Sequence, residues 1–212
     1  MTRLRFFNLH IDGDTDKSWI LRNVPFQLRS FHCDLAWNTD LVSFLNVQDR
    51  LNDLYLADYA VTNRPPEPTA PDELTGEEEG PSPESTVPTL PLSLSPDTLS
   101  ALSTLECSFI DAVAAIAPRR PLKRVKTCFS CEDTPGKTAE LQQLCTSLHA
   151  SAMRVRSLDL ADAAYTEDFS LTVLGTLVPR LPELRYLGTL VLPVGLEVRF
   201  IALFLPLLVH AE

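Results

Sequence analysis

The chain has 212 residues, 45% of them hydrophobic, which is enough for one packed domain or at most two. Its formal charge of −10 excludes general nucleic-acid binding, because neutralising phosphates requires a basic surface. Nine of the 17 prolines and seven acidic residues, with no Lys or Arg, fall between residues 65 and 96, so much of the negative charge belongs to one segment.

Taken in chain order, the sequence repeats a short strand pattern, apolar-x-x-apolar-x-apolar or small. It opens with Leu4, Phe7 and Leu9, followed by Asp12, Asp14 and Asp16 at alternate positions. That loop suggests calcium, but Val24 stands near where the ligand glutamate is needed, so a solvated loop is expected. The second strand carries Leu28, Phe31 and Cys33. Asn38 or Thr39 can cap a helix with Leu41, Phe44, Leu45 and Gln48 on one stripe, before a third strand at Leu51, Leu54 and Leu56.

Residues 65–96 read as a disordered, acidic, Pro-rich insertion, since the composition cannot bury enough surface to offset ordering. Leu102, Leu105 and Cys107 resume the pattern, and Phe109, Val113 and Ile116 form a short helical stripe ending at Pro118. Leu122, Val125 and Thr127 lie within a basic run, Arg119, Arg120, Lys123, Arg124 and Lys126. Thr134 before Pro135 caps a helix striped by Leu141, Leu144, Cys145 and Leu148. Then come Val155, Leu158 and Leu160, a helix from Thr166 with Phe169, Val173, Leu174 and Leu177 inward, and Leu184, Leu187 and Thr189.

The strand starts are spaced 24, 23, 51, 20, 33 and 29 residues, and removing the 32-residue insertion turns the 51 into 19. That is a leucine-rich-repeat period with irregularity. Each unit is too small to bury its own apolar face, so neighbours must stack. The expected fold is α/β: a leucine-rich-repeat-like solenoid with short parallel strands on the concave side and helices on the convex side. Its expected parts are N-terminal repeats 1–64, the insertion 65–96, C-terminal repeats 97–190 and an apolar tail 191–212.

The phrases FQLRSFHCDLAWNTDLVSFLNVQDRLNDLYL and LSALSTLEC, each a strand followed by a helix or the next strand, resemble the leucine-rich part of fungal, mushroom-type F-box proteins. Asn38 is the one match to the asparagine that caps the turn in standard repeats. The resemblance implies a substrate-recognition part of a ubiquitin-ligase subunit. An F-box is expected to be absent ahead of Leu4, so the cullin-ligase adaptor is a partner only where missing sequence supplies that module.

Side chains alternate across a strand, which turns Arg124 and Lys126 outward beside Glu106 and Asp159 as a cross-strand charged row. Asn8, His32, Asp53, Tyr55 and Tyr186, with Phe6, are expected to complete a polar and aromatic face for a protein partner. No catalytic residue, cofactor or metal is assigned: the four histidines lie in no recognisable catalytic context, and there is no glycine-rich phosphate loop. The alternative is a zinc-binding or catalytic α/β protein centred on Cys128, Cys131, Cys145 and His149, spaced C-x2-C-x13-C-x3-H. Five cysteines and no secretion signal point to the cytoplasm or nucleus. No membrane span is expected, because the uninterrupted part of the tail, Phe200 to Val209, is too short to cross about 30 Å of hydrocarbon.

Overall fold

A computed structural model of the chain describes residues 4–11, 17–57, 93–161 and 166–191. The Asp12–Asp16 loop, insertion residues 65–92 and tail residues 192–212 lie outside the described residues.

Among the described residues seven strands, β1 (Phe6–Leu9), β2 (Ser30–Cys33), β3 (Asp53–Leu56), β4 (Thr104–Cys107), β5 (Arg124–Cys128), β6 (Ser157–Ala161) and β7 (Tyr186–Leu187), form one parallel sheet in chain order. The sheet is not closed. Between the strands lie a 3-10 helix (Ser18–Leu21) and the helices α1 (Thr39–Leu45), α2 (Ile110–Ile116), α3 (Thr134–His149) and α4 (Glu167–Arg180).

The apolar triplets account for the strands. In the five central units every triplet member is buried: Leu28, Phe31 and Cys33; Leu51, Leu54 and Leu56; Leu102, Leu105 and Cys107; Leu122, Val125 and Thr127; Val155, Leu158 and Leu160. The register aligns them, with Phe31 beside Leu54, Leu54 beside Leu105, Leu105 beside Val125 and Val125 beside Leu158. The outer units depart from the expectation. Leu4 is 38% exposed, Phe7 and Leu9 are half-buried, and Thr189 is exposed beyond a two-residue β7.

A second regularity lies in the backbone, where no residue-type pattern could show it. Just ahead of each strand after the first, two successive N–H groups donate to a single carbonyl of the unit before. Arg29 and Ser30 donate to Arg5, Asn52 and Asp53 to Arg29, and Ser103 and Thr104 to Asn52. Lys123 and Arg124 donate to Ser103, Arg156 and Ser157 to Lys123, and Arg185 and Tyr186 to Arg156. The six junctions share one hydrogen-bond pattern despite the unequal lengths of chain between them.

The helices bring their apolar stripes to the same core as the buried face of the sheet. Asn38 caps α1, its Oδ1 accepting from the N–H of Leu41 at 3.0 Å, and Thr166 caps α4 by accepting from Phe169 at 3.2 Å. The α3 cap is Asp133, one residue earlier than expected, with Thr134 and Pro135 inside the first turn. Gln48, expected on the α1 stripe, is fully buried for a polar reason: its Oε1 accepts from the N–H of Leu28 and its Nε2 donates to the carbonyl of Phe26. One side chain thus satisfies two backbone groups of the loop into β2.

Residues 93–96, placed by composition in the insertion, are anchored to the core at Leu94 and Ser95. Leu94 is buried, the N–H of Ser95 donates to Asn46 Oδ1 at 2.9 Å, and Arg120 donates to the Ser95 carbonyl at 2.6 Å.

Candidate functional site

The exposed face of the sheet gathers every side chain assigned to partner binding. Because side chains alternate along each strand and the register is in step, they fall into two rows rather than one. Phe6, Ser30, Asp53, Thr104, Arg124, Ser157 and Tyr186 make the row nearer the strand starts. Asn8, His32, Tyr55, Glu106, Lys126 and Asp159 make the other.

Each half of the second row has its own chemistry. At the β1 side, the His32 and Tyr55 rings lie with centroids 3.8 Å apart, and Phe6 meets His32 edge-on at 5.0 Å. At the β5 side, Lys126 Nζ donates to Glu106 Oε1 at 2.7 Å, with Asp159 on the neighbouring strand. The hydrogen bond and the charge of Glu106 hold the Lys126 ammonium above its usual range. Partial desolvation, then the carboxylates of Asp53 and Glu106, push the Tyr55 phenol up. The row stops at Gly188, where an added methyl group would come within 1.9 Å of Asp159 Oδ1.

Beside this row, toward the C-terminal ends of the strands, lies a hollow of about 460 Å³. His10 pairs through Nδ1 with Asp34 on its rim, and Asp34 also accepts from the N–H of Ile11. Cys33, Cys107 and Cys128 contribute to its wall. Burial pushes the thiols of Cys33 and Cys107 up to about 12, and desolvation raises Cys131 and Cys145 as well. A raised thiol is protonated at neutral pH and a poor nucleophile.

The proposed zinc set does not assemble. Cys145 is in the core beside Arg180, Cys128 ends β5 and donates to the carbonyl of Ser108, and Cys131 lies against the first turn of α3. His149 is in the last turn of α3, so a 16-residue helix, roughly 24 Å at 1.5 Å per residue, stands between it and Cys131. Among the described residues no group of three or more His, Cys, Asp or Glu side chains is placed to hold a metal ion. Nor, among them, is any helix long and apolar enough to cross a membrane.

The basic run divides three ways. Arg124 and Lys126 are on the exposed face and Arg119 and Lys123 near the strand starts, while Arg120 is buried and holds the carbonyls of Pro118 and Ser95 and the hydroxyl of Thr98. In the sequence Arg120 is one of five residues in a basic run, with nothing in residue type to separate it from its neighbours. Pro118 and Pro121, which bracket the two arginines, are the sequence signal that Arg120 sits in a tight turn, and Leu122 beyond them is buried.

Comparison with protein-family models, with curated proteins and with solved structures gives no match.

Proposed function

We propose that the chain is a non-enzymatic protein-interaction scaffold: a leucine-rich-repeat-like solenoid whose exposed sheet face is its concave binding surface. The observation that carries this reading is the pair of side-chain rows, which spread aromatic and charged groups across the sheet instead of converging them on one reacting point. The repeated backbone junction supports the repeat architecture, and the raised thiols give no activated nucleophile to an enzymatic reading. The resemblance to the leucine-rich part of F-box proteins makes substrate recognition for a ubiquitin ligase, in the cytoplasm or nucleus, the proposed setting.

The test is site-specific photo-crosslinking in cells. A crosslinker at position 55 should capture a discrete protein partner, one at the exposed Gln142 of α3 should not, and Tyr55→Ala with Lys126→Glu should abolish capture by a crosslinker at Arg124. Equal capture from both faces, or capture unaffected by the double substitution, sinks the proposal.

A further inference from the structure

A second hollow lies at the opposite ends of the strands, where the turns into β6 and β7 meet the C-terminal ends of α3 and α4. It has a volume of about 450 Å³ and is lined by Arg154, Arg156, Arg180 and His149, with Glu183 the one carboxylate among the described residues. Three arginines therefore line the hollow with one acid among the described residues, in a chain whose formal charge is −10, and Arg180 also lies beside the Cys145 thiol. Glu183 approaches only Arg154, at 3.8 Å, and both groups are at least half exposed, so this pair is weak. Among the described residues no carboxylate pairs with Arg156 or Arg180.

The positions of these cations follow from the fold. Arg180 occupies the last turn of α4, where the helix dipole favours positive charge, and His149 lies in the last turn of α3. Arg154 and Arg156 flank Val155, which is buried as the first member of its triplet, so both arginines are exposed. Buried Leu148, Val155 and Leu181 contribute apolar surface to the lining. Arg119 and Lys123 are stitched to the same turns, through Arg119 N–H to the Ala150 carbonyl and Arg156 N–H to the Lys123 carbonyl, and extend the basic border.

We infer that this hollow is an anion site for a tetrahedral oxyanion of the phosphate class. A guanidinium offers parallel N–H donors in a rigid fork that matches such oxygens bidentately, and several converging on one hollow favour a compact, multiply charged anion over a single carboxylate. The anion would bind between Arg156 and Arg180, with Arg154 turning toward it from Glu183. The site is separate from the exposed sheet face and does not depend on the function proposed for that face.

The experiment follows the arginine Nε signals by NMR while inorganic phosphate is titrated into the full chain at constant ionic strength, with chloride as the control. Saturable shifts of Arg154, Arg156 and Arg180 are expected with phosphate and not with chloride. Arg154→Gln with Arg156→Gln should weaken binding about tenfold or more, the loss of at least one charge-assisted hydrogen bond. Glu183→Gln should tighten it, because the competing carboxylate is gone. All three residues are exposed, so the variants should fold, and an unchanged backbone spectrum checks this. A phosphorylated peptide and inositol hexakisphosphate, added as separate arms, distinguish a protein-borne phosphate from a soluble one. Shifts that fail to saturate or that chloride reproduces, or a Glu183→Gln variant that binds phosphate no better, overturn the inference.

Discussion

Arg120 and Ser95 lie 25 residues apart and are joined by a 2.6 Å hydrogen bond from the buried guanidinium Nη2 to the Ser95 carbonyl. The same group holds Thr98 Oγ1 and the Pro118 carbonyl, and Asn46 takes the Ser95 N–H from the other side. The approach to β4 is thereby tied both to the end of α1 and to the turn before β5.

Arg120→Ala should cost roughly 3 kcal/mol, since it strands carbonyls that a charged donor now satisfies. The loss should be local: hydrogen exchange should accelerate at the Thr98 and Leu102 amides, which close the turns of this segment, before it does in β6. Arg120→Lys should recover less than half, because one ammonium cannot reproduce the planar fork. A uniform rise in exchange across the sheet would contradict the strap.

Leu54, Leu105 and Leu158 are fully buried and aligned across β3, β4 and β6. Each changed to Ala should cost about 2–5 kcal/mol through lost burial and a residual cavity. Tyr55, Glu106 and Asp159 are next to them on the other face, and replacing each should cost under about 0.5 kcal/mol. Urea unfolding midpoints for the six variants measure this, and a reversed ranking would falsify the register.

Alkaline pH should destabilise the protein through its buried thiols. Cys33 and Cys107 are raised from 9.0 to about 12, so folding favours their neutral form. Their contribution is complete below the unfolded value near 9 and is lost as pH rises through the folded value. Unfolding free energy should therefore fall between about pH 9 and 12, and the double variant Cys33→Ala, Cys107→Ala should show a flatter dependence whatever its starting stability. Parallel curves for the two proteins would remove the thiols as the cause.

Gly188→Ala would bring a methyl group to 1.9 Å from Asp159 Oδ1 and 3.1 Å from Asp159 Cα. The side chain can swing away but the backbone cannot, so a cost of about 1–3 kcal/mol is expected, in the range of overpacking. Asp159→Ala should relieve part of it, and a double-mutant cycle reads the coupling directly. Strict additivity would show that the two residues do not meet.

The triplets made the strands legible because in the five central units each buries three side chains at fixed spacing, and Leu54, Leu105 and Leu158 landed on the inner face. The outer face followed from the same alternation, which put Lys126 beside Glu106 and His32 beside Tyr55. Partnered polar groups were not legible. Gln48 looked like an apolar-stripe position and Arg120 like any other member of the basic run, because residue type does not say which carbonyl a side chain will reach. The hollow beside β6 escaped for a related reason: Arg154, Arg156 and Arg180 come from two separate stretches of chain and form one basic surface only once β6 and α4 are placed.

The order of the sheet bears on which heritable changes such a chain can absorb. Every inner strand has as neighbours the strand just before it and the strand just after it, so material inserted between two strands alters a single junction. The sequence from 58 to 92 enters at one such junction, yet Leu54 still stands opposite Leu105 as Phe31 stands opposite Leu54. Whole units can thus be gained, lost or interrupted while the rest keeps its register. A slip of one residue inside an inner strand is different in kind, since it would turn that strand's buried side chains toward water and its exposed neighbours into the core.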